Sequence, residues 1–381
     1  METTAPTRTR MARPTTYEQW VADQGVPTIR GIYAHLNEAD LVPWERIGGN
    51  AVFVCLAGAE QAYQDGYVCE IPPGQQLKPQ RHLYEETAYV LSGRGATTLW
   101  YDEGRKQTFE WQTGSLFAVP PNAWYQHFNL SGDEPARYYG VTDAPLVMDL
   151  FHNLDFVFGN DFRFSDRYGG EEGHFSGRGD FIAGGHVWET NFVADVRSFE
   201  LKDQPQRGGG TNIHFELGNS TLIAHISEFP IGTYKKAHRH GAGANVIIVS
   251  GTGYTLHWTE AGDYERIDWR PGTTFVPEDM AWHQHFNTGQ EPARYLAIRW
   301  GAGKYRFFRP VDNGSSRDVN EGGNQIEYRD EEPGIYETYR EECARHGVTP
   351  DMNRLFQRGG RVPLPNGRQG AAAQRPAQPG A

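Results

Sequence analysis

The chain has 381 residues, 38 % hydrophobic and 22 % charged, a globular balance that excludes wholesale disorder and, at roughly 150 residues per domain, points to two or three domains. Thirty-six Lys and Arg against 48 Asp and Glu leave a net charge of −12, so nothing draws the chain to nucleic acid or an anionic membrane. No apolar run approaches the ~18–20 residues needed to cross a bilayer.

The first twenty residues, METTAPTRTRMARPTTYEQW, contain no apolar stretch and read as a frayed terminus rather than a secretory signal or transit peptide. Cys55, Cys69 and Cys343 are odd in number and lack a CxxC spacing, which argues against a disulfide framework and for a cytoplasmic chain. Forty-five glycines, 23 prolines and 13 % aromatics favour short strands and tight turns over long helices. Residues 72–95 (PPGQQLKPQRHLYEETAYVLSGRG) then reappear as 230–253 (PIGTYKKAHRHGAGANVIIVSGTG), and residues 114–140 as 272–298. Such an internal repeat marks a duplicated unit. Within each copy, residues 95–111 and 253–269 read as hairpins turning at Asp-Glu-Gly and Glu-Ala-Gly-Asp. The predicted fold is all-β: two tandem small barrels or jelly rolls with a few short helices.

The predicted divisions are an N-terminal arm over 1–50 packed on the first barrel, a first barrel over 51–145, a connection over 146–210, a second barrel over 211–310 and an extension over 311–381. One helix is expected over 144–159 and another over 334–346 from the spacing of Ile335, Tyr339 and Cys343. The connection is too long for a bare linker and is expected to serve as a lid or a contact between copies. The tail, residues 365–381, is low in complexity and expected to be disordered. The Gly-rich stretches in the connection neither follow a strand nor open a helix, so they are not phosphate loops.

The second unit carries His238-Arg239-His240 and, 43 residues on, His283. On a strand, His238 and His240 point to one face, and His283 from a neighbour completes a set of three. Neutral imidazoles suit Fe, Cu, Ni or Zn and leave coordination positions open for chemistry. The competing reading is three packed histidines, since two histidines at i, i+2 also arise by chance. The placement after a Pro-x-Gly turn inside a repeat favours the metal.

At these residues the chain resembles the cupin superfamily, as a two-domain bicupin. The motif G-x5-H-x-H-x3,4-E-x6-G is met by Gly232, His238, His240 and Gly251, with Ala244 where Glu is usual. The second motif is met by Gly272, His283 and Asn287, with Met280 in place of a Gly. The first unit keeps His82, Glu86 and Gly93 but has Gln80 and Tyr125 where the resemblance calls for histidines, so no tightly held metal is expected there. Three histidines without the carboxylate look like the gentisate and salicylate 1,2-dioxygenases. That resemblance implies a mononuclear non-haem Fe(II) centre that cleaves a C–C bond in a small aromatic or enolic acid with O2, as in aromatic compound catabolism. Mn, Ni, Cu and Zn are the alternative metals. A redox-neutral lyase, isomerase or decarboxylase and a non-catalytic ligand-binding bicupin are the alternative functions. Bicupins commonly associate, so a homo-oligomer is expected.

The repeat also permits a subtraction, because residues common to both units serve the fold. Arg239 matches Arg81, and Arg294 matches Arg137. His285 matches His127 but shares strand parity with His283, which makes it a candidate beside the metal. His257, in place of Leu99, is a candidate to orient or deprotonate substrate, and Arg299, in place of Thr142, to pair with a substrate carboxylate. His225 and Tyr254 are likewise unmatched, and a satisfied polar side chain at a barrel edge is the bland reading of each. His174 and His186 in the connection are discounted as ligands.

Overall fold

A computed structural model describes residues 13–101, 105–241, 243–260, 262–307 and 314–358. The predicted disordered tail, the first twelve residues and the Asp-Glu-Gly turn lie outside the described residues. The repeat folds into two barrels of matching plan. In the first, strands Gly49–Leu56, Asp65–Ile71, Ala136–Thr142, Glu86–Ser92 and Leu116–Val119 lie side by side in that order. Facing them is a three-stranded sheet of Gln107–Gln112, Arg94–Trp100 and Trp124–Asn129. In the second barrel the corresponding orders are Thr211–Leu217, Leu222–Phe229, Ala293–Trp300, Asn245–Ser250 and Thr273–Phe275, against Glu265–Trp269, Gly253–Trp258 and Trp282–Asn287.

The match extends to backbone detail. The pairing of the fourth strand with the third skips Leu91 in one barrel and Val249 in the other. Gly93 (φ 84°) and Gly251 (φ 83°) follow each bulge in the left-handed region. A Cβ on either would come within 2.7 Å of the Cα of Ala136 or Ala293, so glycine alone fits. Asn122 (φ 57°) and Met280 (φ 58°) also match, so the position where the motif has a glycine is left-handed here in both barrels.

Outward-facing residues of the two large sheets pack together, burying Val52, Val54, Tyr139, Ile213, Phe215, Ile226 and Leu296 in a core shared by the barrels. That explains a feature of strand Gly49–Leu56, which is apolar on both faces rather than alternating. Helix Thr16–Asp23, closed by a Thr15–Glu18 capping box, lays Tyr17, Trp20 and Val21 against Trp44 and Phe53 in the first barrel's core.

The arm is not confined to that barrel, which corrects the sequence reading. Tyr33–His35 pairs with Thr273–Phe275 of the second barrel, and Leu36 N donates to Gly272 O. In return, Phe192–Val193 from the connection pairs with Phe117 and Leu116 of the first. Each edge strand would otherwise leave backbone groups unpaired, and the shared core brings the other unit's segment within reach. The predicted helix over 144–159 is two helices, Ala144–Phe151 and Leu154–Gly159, because His152 turns left-handed (φ 51°) and the Asn153 side chain caps the second. The C-terminal helix, Pro333–Arg345, begins with its proline at the first position and buries Ile335, Tyr339 and Cys343 as the spacing predicts. It joins Tyr234, Tyr254 and Phe286 in a core on the outside of the second barrel. All three cysteines are buried free thiols. No helix among the described residues is long and apolar enough to cross a membrane.

One buried acid offers a test of the first barrel. Asp65 is 3 % exposed, one of its carboxylate oxygens has no hydrogen-bond partner among the described residues, and burial pushes its pKa up to about 7. The folded value lies above the unfolded one, so the acid's favourable contribution is complete below pH ~4 and is lost as pH rises through about 7. Asp65→Asn should therefore stabilise the protein by a few kcal/mol at pH 8, a magnitude set by ~1.4 kcal/mol per pK unit, and by little at pH 4. Thermal melts at both pH values check this; an equal gain at both would contradict it.

Candidate metal centre

His238, His240 and His283 each point one ring nitrogen to a common point, with those atoms all within 4.8 Å of one another. The route differs from the strand pairing expected from the sequence. His238 makes only an isolated bridge, its backbone exchanging hydrogen bonds with His283 at 3.1 and 2.9 Å, and His240 lies in the following loop. Gln325 of the C-terminal extension bridges His238 from the other side. The two rings on facing segments bring their Nε2 atoms to 3.1 Å.

The remaining nitrogens are already committed. Nδ1 of His238 faces Lys236 O at 3.2 Å, Nδ1 of His283 faces Ala281 O at 3.1 Å, and Nδ1 of His240 faces Gly241 O at 3.3 Å. A backbone carbonyl only accepts, so each Nδ1 carries the proton and each Nε2 keeps a bare lone pair. Burial, reinforced by the charge of Arg207, holds His238 well below the ordinary imidazole range; burial and His240 do so for His283. Burial and Arg299 bring His240 down to about 4. Three neutral imidazoles with converging lone pairs fit a divalent transition metal.

The cavity in front of them has a volume of about 140 Å³. Arg207, His214, His225, Lys235, His285 and Arg299 line it, and among the described residues no Asp or Glu does. Two of the candidates named from the sequence, His285 and Arg299, therefore stand in the same cavity as the three histidines. His285 Nδ1 is 2.8 Å from Thr255 Oγ1, and Trp269 Nε1 donates to the same hydroxyl, an arrangement copied by His127, Thr97 and Trp111 in the first barrel. His257 is placed elsewhere. It pairs with His283 across the strands, yet its Nε2 accepts from Glu278 N at 3.3 Å and its Nδ1 lies 3.7 Å from Glu265, so its ring is drawn out of the cavity. His225 lines the cavity, whereas Tyr254 stacks on Phe286 in the outer core. Arg239 lies over Trp282 as Arg81 lies over Trp124, and Arg294 pairs with Glu228 as Arg137 does with Glu70. Those are packing contacts common to both units.

Lys235 and Arg207 were not singled out from the sequence. The signal for Lys235 was present, since it occupies the repeat position of the buried Leu77. Arg207 had none, because the connection has no counterpart to subtract.

At the matching place in the first barrel, the space is filled from within. Tyr125 OH contacts His82 Nε2 at 2.9 Å and donates to Glu86 at 3.2 Å, while Tyr67 OH donates to the other Glu86 oxygen at 2.7 Å. Burial alone would raise the Glu86 carboxyl, but His82 and Tyr67 outweigh it and hold it below the usual carboxylate range. Gln80 turns its amide to the carbonyls of Arg46 and Pro79 instead of inward. Among the described residues, no group of three His, Cys, Asp or Glu side chains converges there.

Residues 67–142 and 225–299 both match the family described as Cupin domain. A 5-aminosalicylate 1,2-dioxygenase of Comamonas sp is 30 % identical over 78 residues, a span of 20 % of this chain and 19 % of that protein. Among solved structures, the oxalate decarboxylase of Bacillus subtilis at pH 4.6 is similar at 15 % identity, covering 72 % of this chain and 77 % of that one with a TM-score of 0.48. A structure of the same enzyme described for its Mn(II) centres is similar at 16 % identity, 74 % and 80 % coverage, and a TM-score of 0.49.

Proposed function

Taking as premise that the chain is a bicupin, two cupin domains in tandem, we infer that its second domain is the centre of a mononuclear non-haem Fe(II) dioxygenase. The substrate would be a small anionic chelator, such as a hydroxybenzoate, a catechol-like compound or a diketone, cleaved at a C–C bond. The observation that carries this reading is the open face of three neutral imidazoles set in a cavity lined by cations and by no acid. The dioxygenase that matches over 78 residues supports it. A divalent metal on three neutral ligands keeps its full charge and supplies a Lewis-acid centre for a chelating anion and O2.

The chain's own residues prepare that chemistry. The carbonyls of Lys236, Gly241 and Ala281 fix the ring orientations, and burial keeps the rings neutral at ordinary pH. Ala244, 3 % exposed, leaves open the space that Glu86 fills in the first barrel. Arg299 Nη1 donates to Trp300 O at 2.8 Å, and the rest of its fork is left for a substrate carboxylate. His285, its Nδ1 held at Thr255, presents its other edge beside the metal face.

Oxygen-electrode assays of Fe(II)-reconstituted protein against hydroxybenzoates, catechols and diketones test the reading. One O2 consumed per substrate cleaved, with Fe(II) and not with Zn, is the expected result. Product formed without oxygen uptake would transfer the chain to the redox-neutral lyases, isomerases and decarboxylases. A homo-oligomer is part of the same proposal. Leu150 (67 % exposed), Phe151 and Phe156 form an apolar face on the connection suited to a second copy, and a monomeric mass by light scattering at micromolar concentration would contradict that.

A further inference from the structure

Because the two barrels share one register, their interiors can be compared position by position within a single molecule. His214 stands where the first barrel has Phe53, and His225 where it has Tyr67. Ser227 replaces Cys69, Lys235 replaces Leu77, and Arg299 replaces Thr142. Ala244, meanwhile, replaces Glu86. Lys235 and Arg299 each add a cation, His214 adds a polar ring, His225 and Ser227 exchange one polar group for another, and the change at 244 removes a buried acid.

Packing does not explain these changes, since Leu77 and Cys69 fill the same positions at 2 % and 0 % exposure. Lys235 is 4 % exposed and among the described residues has no carboxylate partner; its ammonium donates to Ser227 Oγ and to Tyr295 OH. Lys236 N donates to Arg207 O at 3.1 Å, which sets Arg207 against the same segment. Arg207 gives one nitrogen to Ser315, while among the described residues its buried Nη1 has no partner, and neither has Nδ1 of His225. A buried cation without an acid is costly, and an anion supplied by a ligand removes that cost.

The cations form two groups. Lys235 reaches Ser227 and Tyr295, which pair across the two strands, whereas Arg299 pairs with Ile223 four residues further along the strand of Tyr295, about 13 Å away at ~3.3 Å per residue. Arg207, Lys235, Arg299 and the three histidines all line the same cavity.

We propose that Arg207, Lys235 and Ser227 form a second anion-binding subsite, so that the cavity takes a small ligand with two anionic groups, one near Arg299 at the metal face and one at Arg207 and Lys235. This rests on the function inferred above for the placement of the first group. A cavity of about 140 Å³ limits such a ligand to a few heavy atoms between its charges.

The test is calorimetric titration of the metal-stripped full-length protein with succinate and glutarate against butyrate and valerate. In the wild type, each di-acid should bind at least ~10-fold more tightly than the mono-acid of equal chain length, in line with an added charge-assisted hydrogen-bonded pair. Lys235→Leu, which copies the first barrel's own residue, and Arg207→Gln should each reduce that preference to less than about twofold. Both should reload metal to the wild-type level. Absence of the preference in the wild type, or its retention in either variant, overturns the subsite. Metal content read on the same preparations separates the two readings. A protein that prefers di-acids but takes up no metal refutes the dioxygenase and leaves the subsite standing; one that takes up metal without the preference refutes the subsite alone.

Discussion

Replacing His238, His240 or His283 with alanine is expected to cut the affinity for a divalent metal by more than ~100-fold, beyond the 10–100-fold typical for losing a residue that merely orients a ligand. Among the described residues no carboxylate joins the converging groups, so the loss of one imidazole leaves two donors. Turnover should fall with the metal. The fold should survive, and the first barrel supplies the reason. It carries Gln80 and Tyr125 at the positions of His238 and His283 and forms the same backbone bridge, Gln80 with Tyr125, as His238 forms with His283. Circular dichroism and thermal melts close to wild type, beside an empty site by metal analysis, are the expected pair of results. Full metal retention by all three variants would contradict the assignment.

The second large effect concerns the missing acid. Ala244→Glu should hold metal at least as well as the wild type while turnover drops by about 100-fold or more, some 3 kcal/mol of transition-state stabilisation. Strand register places residue 244 across from Arg299, as Glu86 lies across from Thr142 in the first barrel. A new carboxylate there would enter an open coordination position, lower the net charge at the metal and pair with Arg299, and all three effects oppose an anionic chelating substrate. Ala244→Ser, small and neutral, serves as the control and should keep most of the activity. Metal content and oxygen uptake measured together check this. A fully active, metal-loaded Glu variant would mean that the chemistry tolerates a fourth ligand and would favour the redox-neutral reading.

Much of the fold could be read from the chain because duplication writes each constraint twice. The glycines at 93 and 251, the hairpins and the two histidine-bearing stretches recur at a constant spacing, and the structure shows that they occupy equivalent places. The exchange of edge strands was not legible. Tyr33–His35 and Phe192–Val193 are too short to carry a periodic signal, and their partners depend on how the large sheets pack. The break at His152 was hidden for a similar reason, since a left-handed histidine has no marker comparable to glycine.

At the site, the three histidines and Arg299 follow from spacing and subtraction. His257 shows where subtraction stops. It is special to the second barrel and stands opposite His283, but the N–H of Glu278 draws its ring away, and side-chain direction of that kind is invisible before the loop is placed. Lys235 shows the converse. A lysine aligned with a buried leucine was readable in the repeat, and its meaning becomes clear only beside Arg207, which arrives from a segment outside the duplication.

The central claim is that the second barrel alone holds the metal. Inductively coupled plasma mass spectrometry of the full-length protein, beside His82→Ala and His283→Ala, tests it most directly. About one divalent metal per chain in the wild type and in His82→Ala, with none in His283→Ala, is the predicted result. Two metals per chain, or loss of metal on changing His82 with retention on changing His283, would contradict it and move the centre to the first barrel.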